Sequence, residues 1–316
     1  METLDTTKNK PAIILDCDPG HDDALAILCA ARHCELLGIT TVSGNIDLEQ
    51  TTRNALITTQ LLGLDTPVHR GADRPLVVPA RHAEFIHGAS GLDGPQLPPL
   101  ERSPASHEAV RFLIDTVRSR DDVWLVATGP LTNVALAIRT APDIVGRLKG
   151  ISIMGGGTSF GNVTPAAEFN IYCDPEAAEI VFESGARLLM ADLDLTHQFM
   201  IDEDAIDRIR ALASPVATFA ADLLTFYGQA YAQAYSGRVE GPLHDPCAVL
   251  ILSHPHLFEI APHHVAIETG GNVTRGMTVV DTRGGHRGEA PNTDVLTKID
   301  SDAAFELLLE TIASYG

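Results

Sequence analysis

The sequence is poor in positive charge. Its 22 Lys and Arg residues stand against 42 Asp and Glu, giving a formal net charge of −20 over 316 residues. No cluster of Lys and Arg interrupts that excess, so the chain has nothing with which to hold a phosphate backbone or an anionic lipid surface. Nucleic acid and membranes are thereby excluded as expected partners. Long apolar runs are also missing: stretches such as Ala24–Ala31 fall far short of the roughly 20 residues a membrane-spanning helix needs. The polar, acid-bearing start METLDTTKNKP lacks the basic-then-apolar order of a secretory signal, and residues 1–10 read as a flexible extension. Cysteine is scarce and odd in number, at positions Cys17, Cys29, Cys34, Cys173 and Cys247, with no CxxC pair. That excludes a zinc ribbon or a disulfide framework and leaves free, buried thiols in a reducing cytoplasm.

What is present is the composition of a globular protein, 45% apolar and 20% charged, which rules out a disordered or fibrous chain. Strand-like and helix-like segments alternate. Ala12–Leu15 is a β-prone run and Ala24–Ala31 a helix with Asp22 and Asp23 at its start. Leu36–Val42 and Leu48–Leu62 repeat the pair, followed by Val123–Ala127 with Leu131–Arg139, and Ile151–Met154 with Pro175–Glu183. Such alternation predicts an α/β fold: an open, mainly parallel Rossmann-like sheet, mixed at its edge, with helices on both faces. A helical stretch is expected over Asp202–Gln233. Further strands are expected at Val265–Glu268, Met277–Asp281 and Val295–Asp300, then a closing helix Ala303–Ala313. Without a linker, repeat or low-complexity tract, residues 1–316 read as one domain. Two long segments rich in Gly and Pro or Asn, Gly71–Pro104 and Gly155–Asp174, have the length of functional loops.

The densest chemistry lies just after the first strand, where DCDPGHDD places Asp16, Asp18, Asp22 and Asp23 within eight positions. Carboxylates this close repel one another, and a fold that gathers them needs a cation. Their position at the carboxyl end of a strand in an open α/β sheet is where ligands bind, and an all-oxygen set suits Ca²⁺ or Mg²⁺. Solvated acids at a helix amino terminus are the alternative. In LHDP, His244 stands beside Asp245 ahead of an apolar helical segment, as a proton donor next to a further metal carboxylate or simply as a capped helix start. Asn45 in VSGN sits past the second strand, at a strand-end site or in a plain turn. Tyr227, Tyr231 and Tyr235 share a helical stripe and are either core or, for Tyr231 and Tyr235, contacts at a pocket mouth. Two other readings fail. The DxD turn lacks the Thr or Val that haloacid dehalogenase-like phosphatases place where this chain has Gly20, and a dinucleotide fingerprint at Gly155–Gly157 breaks at Phe160.

Taken in order, DCDPGHDDALAI, VSGN, HGASGLDG, ATGPLTN, MGGG, GNVTPAAEFNIYCDPEAA and LHDP resemble the inosine–uridine preferring nucleoside hydrolases over nearly the whole chain. Cys17 departs from the Thr found in many members. The resemblance implies a Ca²⁺-dependent N-ribohydrolase that releases ribose and free base from ribonucleosides, uridine and cytidine foremost and inosine besides, by direct attack of water. Asp18 would be the general base and a metal ligand, joined by Asp23, Asp245 and the carbonyl of Thr128, with Asp16 behind them. Asp22, Asn45 and Asn170 would bind the ribose 2′ and 3′ hydroxyls, Asn162 and Glu168 the 5′ hydroxyl, and Met154 the sugar face. His244 would serve the leaving base, with His87 and Tyr231 in the same pocket. His244 also sets the chain apart from a purine-restricted branch that lacks it. A cytoplasmic homo-oligomer, dimer or tetramer, acting in nucleoside salvage completes the expectation. The competing readings are a non-catalytic nucleoside-binding protein and a metal-dependent phosphatase.

Overall fold

In the computed structural model, which describes residues 10–283 and 288–316, eight strands form one sheet. The expected flexible start lies outside the described residues except for Lys10. The six strands β1 (Ala12–Cys17), β2 (Glu35–Thr41), β3 (Val68–Arg70), β4 (Val123–Ala127), β5 (Gly150–Met154) and β6 (Leu188–Ala191) run in the order β3-β2-β1-β4-β5-β6, all parallel. Two short pairs lie apart, β7 (Met200–Asp202) with β8 (Glu240–Pro242) and β10 (Val265–Ile267) with β11 (Thr278–Val280). The main sheet ends in β12 (Thr293–Ile299), parallel to β6, and β9 (Phe258–His263), antiparallel to β12. The predicted fold, mixed at its edge, is the observed one. The strand order reverses between β1 and β4, which stay paired to their ends, while the helices that follow them pack on opposite faces and leave the crevice where such sheets bind ligands.

Helices cover both faces because the strands are apolar on both. Along β1, Ile13, Leu15 and Cys17 join one core cluster while Ile14 joins the other, the two-residue period of a strand buried on each side. The first cluster is closed by the helices His21–His33, Pro215–Tyr231, Asp245–Ser253 and Ser301–Ala313. The second is closed by Ala109–Ser119, Thr132–Thr140 and Pro175–Phe182. Every residue of Asp245–Ser253 is buried, so this helix runs through the core with its amino terminus aimed at the crevice.

The structure corrects the expectation in several places. The stretch Asp202–Gln233 is two helices, Glu203–Arg210 and Pro215–Tyr231. Pro215 has no N–H to continue a helix and instead takes the first position of a new one. Ser214 caps that helix by accepting from the Ala217 N–H at 3.1 Å, and Ala213 makes the turn at φ 55°. The strands β3, β6, β7, β8 and β9 and the helix Ala109–Ser119 were not expected. The two long segments carry short helices, Glu84–His87 and Phe169–Cys173, which position site residues. No helix among the described residues is long and apolar enough to cross a membrane.

The cap at Ser214 has a measurable consequence. Ser214→Ala should lower unfolding stability by about 1 kcal/mol, read as a shift in the denaturant midpoint at unchanged slope.

Candidate active site

The crevice floor is built from strand ends. Just past β1, the Asp18 carboxylate accepts the Asn45 backbone N–H at 2.6 Å. The Asn45 side chain, from the turn after β2, donates to the Asp18 carbonyl (3.2 Å) and to Asp23 Oδ2 (3.1 Å). Room for that carboxylate comes from two residues without side chains. A Cβ on Gly44 would stand 2.0 Å from Asp18 Oδ2, and one on Gly129 2.4 Å from Oδ1. Asp23 is held by the Gly20 N–H (3.0 Å) and by the hydroxyl of Thr128 at the end of β4 (2.8 Å). Asp16, two residues back within β1, accepts from Thr40 (2.5 Å) and Asn133 (2.7 Å) and ties β1 to its surroundings, with burial pushing its acid up to about 7.

Asp22 and Asp23 open the helix His21–His33, and Asp245 opens Asp245–Ser253. One oxygen from each of these three buried carboxylates lies within 4.8 Å of the others, a group that could hold a metal ion. Asp18 is not in that trio, but its charge acts on Asp245, and Asp22 and Asp23 act on it. Burial, then mutual repulsion, pushes Asp18 and Asp245 well above the usual carboxylate range and Asp22 up to about 8; burial also raises Asp23. Asp18 Oδ1 is buried without a hydrogen-bond partner. Four acids forced into one dry volume, one with an orphaned oxygen, fit a cation: the ion would restore their charge. Hard oxygen donors of this kind suit Ca²⁺ or Mg²⁺.

Beside the acids stands a wall of hydrogen-bonding groups. Glu168 caps the helix Phe169–Cys173, accepting from the N–H groups of Asn170 (2.9 Å) and Ile171 (3.2 Å), and also takes the Gly156 N–H (3.0 Å). Burial raises its acid to about 7. Asn170 donates to the carbonyl oxygens of Thr128 (2.9 Å) and Met154 (3.2 Å), and Asn162 accepts the Phe169 N–H (2.9 Å). The opposite end is aromatic. His244 faces the Thr196 hydroxyl with Nδ1 (2.7 Å) and the Tyr231 hydroxyl with Nε2 (2.9 Å). Burial and the nearby His197 lower its pKa to about 3. The ring is therefore neutral near pH 7, and any proton it gives must be a neutral ring N–H. Tyr231 is both buried and part of the cleft, and Tyr235 continues the stripe on a π-helical turn, half in solvent.

The cleft encloses about 530 Å³ of empty space, counting space open to solvent. Asp22, Asn45, His87, Thr128, Met154, Asn162, Glu168, Asn170, Tyr231, His244 and Asp245 all line it, while Asp18 and Asp23 lie fully buried one layer beneath. Tyr227, Phe85 and Thr196 were missed. Tyr227 was given to the core by its spacing, Phe85 sat in an expected loop, and Thr196 follows the unforeseen strand β6.

With this geometry in place, likeness to known proteins becomes decisive. Residues 13–306 match the inosine-uridine preferring nucleoside hydrolase family. The chain belongs to that family. It is a hydrolase acting on N-glycosyl compounds. The pyrimidine-specific ribonucleoside hydrolases RihA of Salmonella typhimurium and Escherichia coli are each 45% identical to it, over 96% of this chain and 99% of theirs. The structure of a purine-preferring ribonucleoside hydrolase from Gardnerella vaginalis overlays with a TM-score of 0.90 at 34% identity, covering 96% of this hydrolase and 98% of that chain. A plant nucleoside hydrolase gives 0.89 at 31%, covering 96% and 99%. Proteins named for opposed base preferences thus both resemble this chain over nearly its whole length.

The glycine floor yields a sharp test. Gly44→Ala would push a methyl group into Asp18, and a displacement of about 1 Å within an active site costs about 10²-fold. Steady-state assays should show that loss in kcat, with the far-ultraviolet circular dichroism unchanged.

Proposed function

We propose that this hydrolase splits the N-glycosidic bond of pyrimidine ribonucleosides, uridine and cytidine foremost, to ribose and free base, using Ca²⁺. The observation that carries the reading is the buried acid group at one end of a cleft whose side wall is made of hydroxyl-binding residues and whose far end is aromatic. The 45% identity to pyrimidine-specific enzymes supports the choice of base.

Asp18, Asp23, Asp245 and the Thr128 carbonyl would hold Ca²⁺, with Asp22 packed against them; when bound, the ion makes a water more acidic and gives the ribose hydroxyls a fixed point. The residues do the rest. Asp18 is oriented by the Asn45 N–H and takes a proton from the attacking water as general base. Asp22, Asn45 and Asn170 receive the 2′ and 3′ hydroxyls. Glu168 and Asn162 receive the 5′ hydroxyl, and Met154 packs on the sugar. Such anchoring places C1′ for direct attack, which is catalysis by position. As the C1′–N bond breaks, its electron pair leaves with the base and the sugar gains oxocarbenium character. The His244–Tyr231 pair, 2.9 Å apart, supplies a hydrogen bond or proton to the departing ring. A protein that only bound nucleosides would need neither the acid group nor this pair.

The test is a panel of purine and pyrimidine ribonucleosides and deoxynucleosides with reducing-sugar detection. Uridine and cytidine should turn over fastest and deoxynucleosides barely; a purine optimum would overturn the base assignment. Asp18→Asn should reduce kcat by about 10²- to 10⁴-fold, the usual contribution of a general base, with thermal stability retained. Prolonged chelation should abolish turnover and added Ca²⁺ restore it, and full activity after verified metal removal would remove the cation from the reading.

A further inference from the structure

The loop after β5, Gly155–Gly157, has no side chains to hold it, yet its N–H groups all find partners. The Gly155 N–H donates to the Ala191 carbonyl (3.1 Å), and the Leu193 N–H donates to the Gly156 carbonyl (3.0 Å). The Gly156 N–H donates to Glu168 (3.0 Å), while the Thr158 and Ser159 N–H groups both meet Asp194 (2.8 and 2.9 Å). Gly157 is gripped from a distant part of the chain. The Thr278 hydroxyl, at the start of β11, accepts the Gly157 N–H at 2.9 Å and donates to the Gly157 carbonyl at 2.8 Å. Thr278 is buried and does not line the cleft, so contact with a substrate does not explain it.

The β10–β11 hairpin that bears Thr278 is firmly seated. Arg275, between its strands, pairs with Glu176 of the helix Pro175–Phe182 (2.6 Å) and donates to the Thr269 carbonyl. Gly276, at φ 81°, lies so close to Tyr172 that a Cβ would stand 2.8 Å from the Tyr172 Cα. Tyr172 belongs to the helix Phe169–Cys173 that Glu168 caps, so one hairpin braces both the glycine loop and that helix. The loop needs the brace. Glycine is conformationally permissive, and Gly156, at φ 80°, has no Cβ to fix the direction of its N–H; one built there would stand 2.6 Å from Thr278 Cγ2. That N–H makes, among the described residues, the one hydrogen bond Glu168 receives from outside its own capped helix. A hydroxyl sits 2.9 Å from the Gly157 nitrogen, whereas a methyl group in its place needs about 3.5 Å. The place of the loop therefore depends on the hydroxyl.

We propose that Thr278 is a positioning residue: by holding Gly157 it fixes the Gly156 N–H, which in turn holds the Glu168 carboxylate in the direction that receives the ribose 5′ hydroxyl. A nucleoside carrying that hydroxyl then depends on Thr278, and one lacking it does not. The consequence for the 5′ hydroxyl rests on the reading under Proposed function; the hold of Thr278 on Glu168 does not.

The test uses the ¹⁵N-labelled full chain, its metal retained, and pairs the Gly156 amide signal with steady-state kinetics on uridine and 5′-deoxyuridine. An N–H bonded to a carboxylate resonates downfield, so the Gly156 proton should lie downfield in wild type and move upfield in Thr278→Val. The same variant should lose about tenfold to 10²-fold in kcat/KM for uridine, the upper figure being what a misplacement of about 1 Å costs, and hardly anything for 5′-deoxyuridine. Thr278→Ser keeps the hydroxyl and should restore both the signal and uridine turnover. An unmoved Gly156 signal in Thr278→Val, or a serine variant that behaves like the valine one, overturns the assignment. So does an equal loss on both nucleosides when wild type prefers uridine. Should the valine variant fail to fold, Thr278→Ala, which removes the hydroxyl without a methyl group in its place, carries the same expectations. If wild type treats the two nucleosides alike while the Gly156 signal still moves, the 5′ hydroxyl assignment under Proposed function falls and the positioning of Glu168 stands.

Discussion

Repulsion among buried carboxylates is the constraint around which this molecule is arranged. Asp18, Asp22, Asp23 and Asp245 are all buried, and no fold would gather them without strong opposing arrangements. Part of the opposition is built in. Two helix amino termini converge on the group, and their partial positive ends favour negative charge. Backbone N–H groups of Gly20 and Asn45 and the Thr128 hydroxyl satisfy individual oxygens. What remains unsatisfied, Asp18 Oδ1 above all, is the share left for a cation.

The strand order explains why these groups can meet at all. Asp18 and Thr128 follow neighbouring strands, β1 and β4, yet stand 110 positions apart in sequence, and Asn45 follows β2 on the other side. A parallel sheet puts all its carboxyl ends on one edge, so short strand-end segments converge without long excursions of the chain. Glu168 and Asn170 arrive from the loop after β5, where the unforeseen helix Phe169–Cys173 gives Glu168 a cap to make and thereby a fixed direction.

Sequence reasoning found the polar half of the site and lost part of the aromatic half, for a physical reason. Clustered acids such as those in DCDPGHDD are costly to bury and so announce a function wherever they occur. Tyr227 and Phe85 announce nothing, because an aromatic side chain at helical spacing or in a loop is equally at home in a core. The eleven cleft-lining residues expected from the family resemblance do share one cleft, while Thr196 escaped because β6 is an apolar run of only four residues, passed over although the Ser184–Gly185 turn stands ahead of it. The break at Ala213 was readable in the Ser-Pro pair that follows it, had that pair been weighed above the apolar periodicity on either side. The protonation state of His244 lay beyond sequence altogether: only the depth of burial and the neighbouring His197 show that the ring is neutral.

His244 and Asp245 are adjacent in the chain and enter together at the start of one rigid, wholly buried helix. A single lever therefore carries both a carboxylate of the acid group and the imidazole at the aromatic end of the cleft, and neither can be shifted without dragging the other. Selection for a new nucleobase has little freedom along that lever. It has far more on the half-exposed Tyr235 turn and the short helix that bears Phe85, which ride on separate supports and can drift while the hydrolytic centre stays in register.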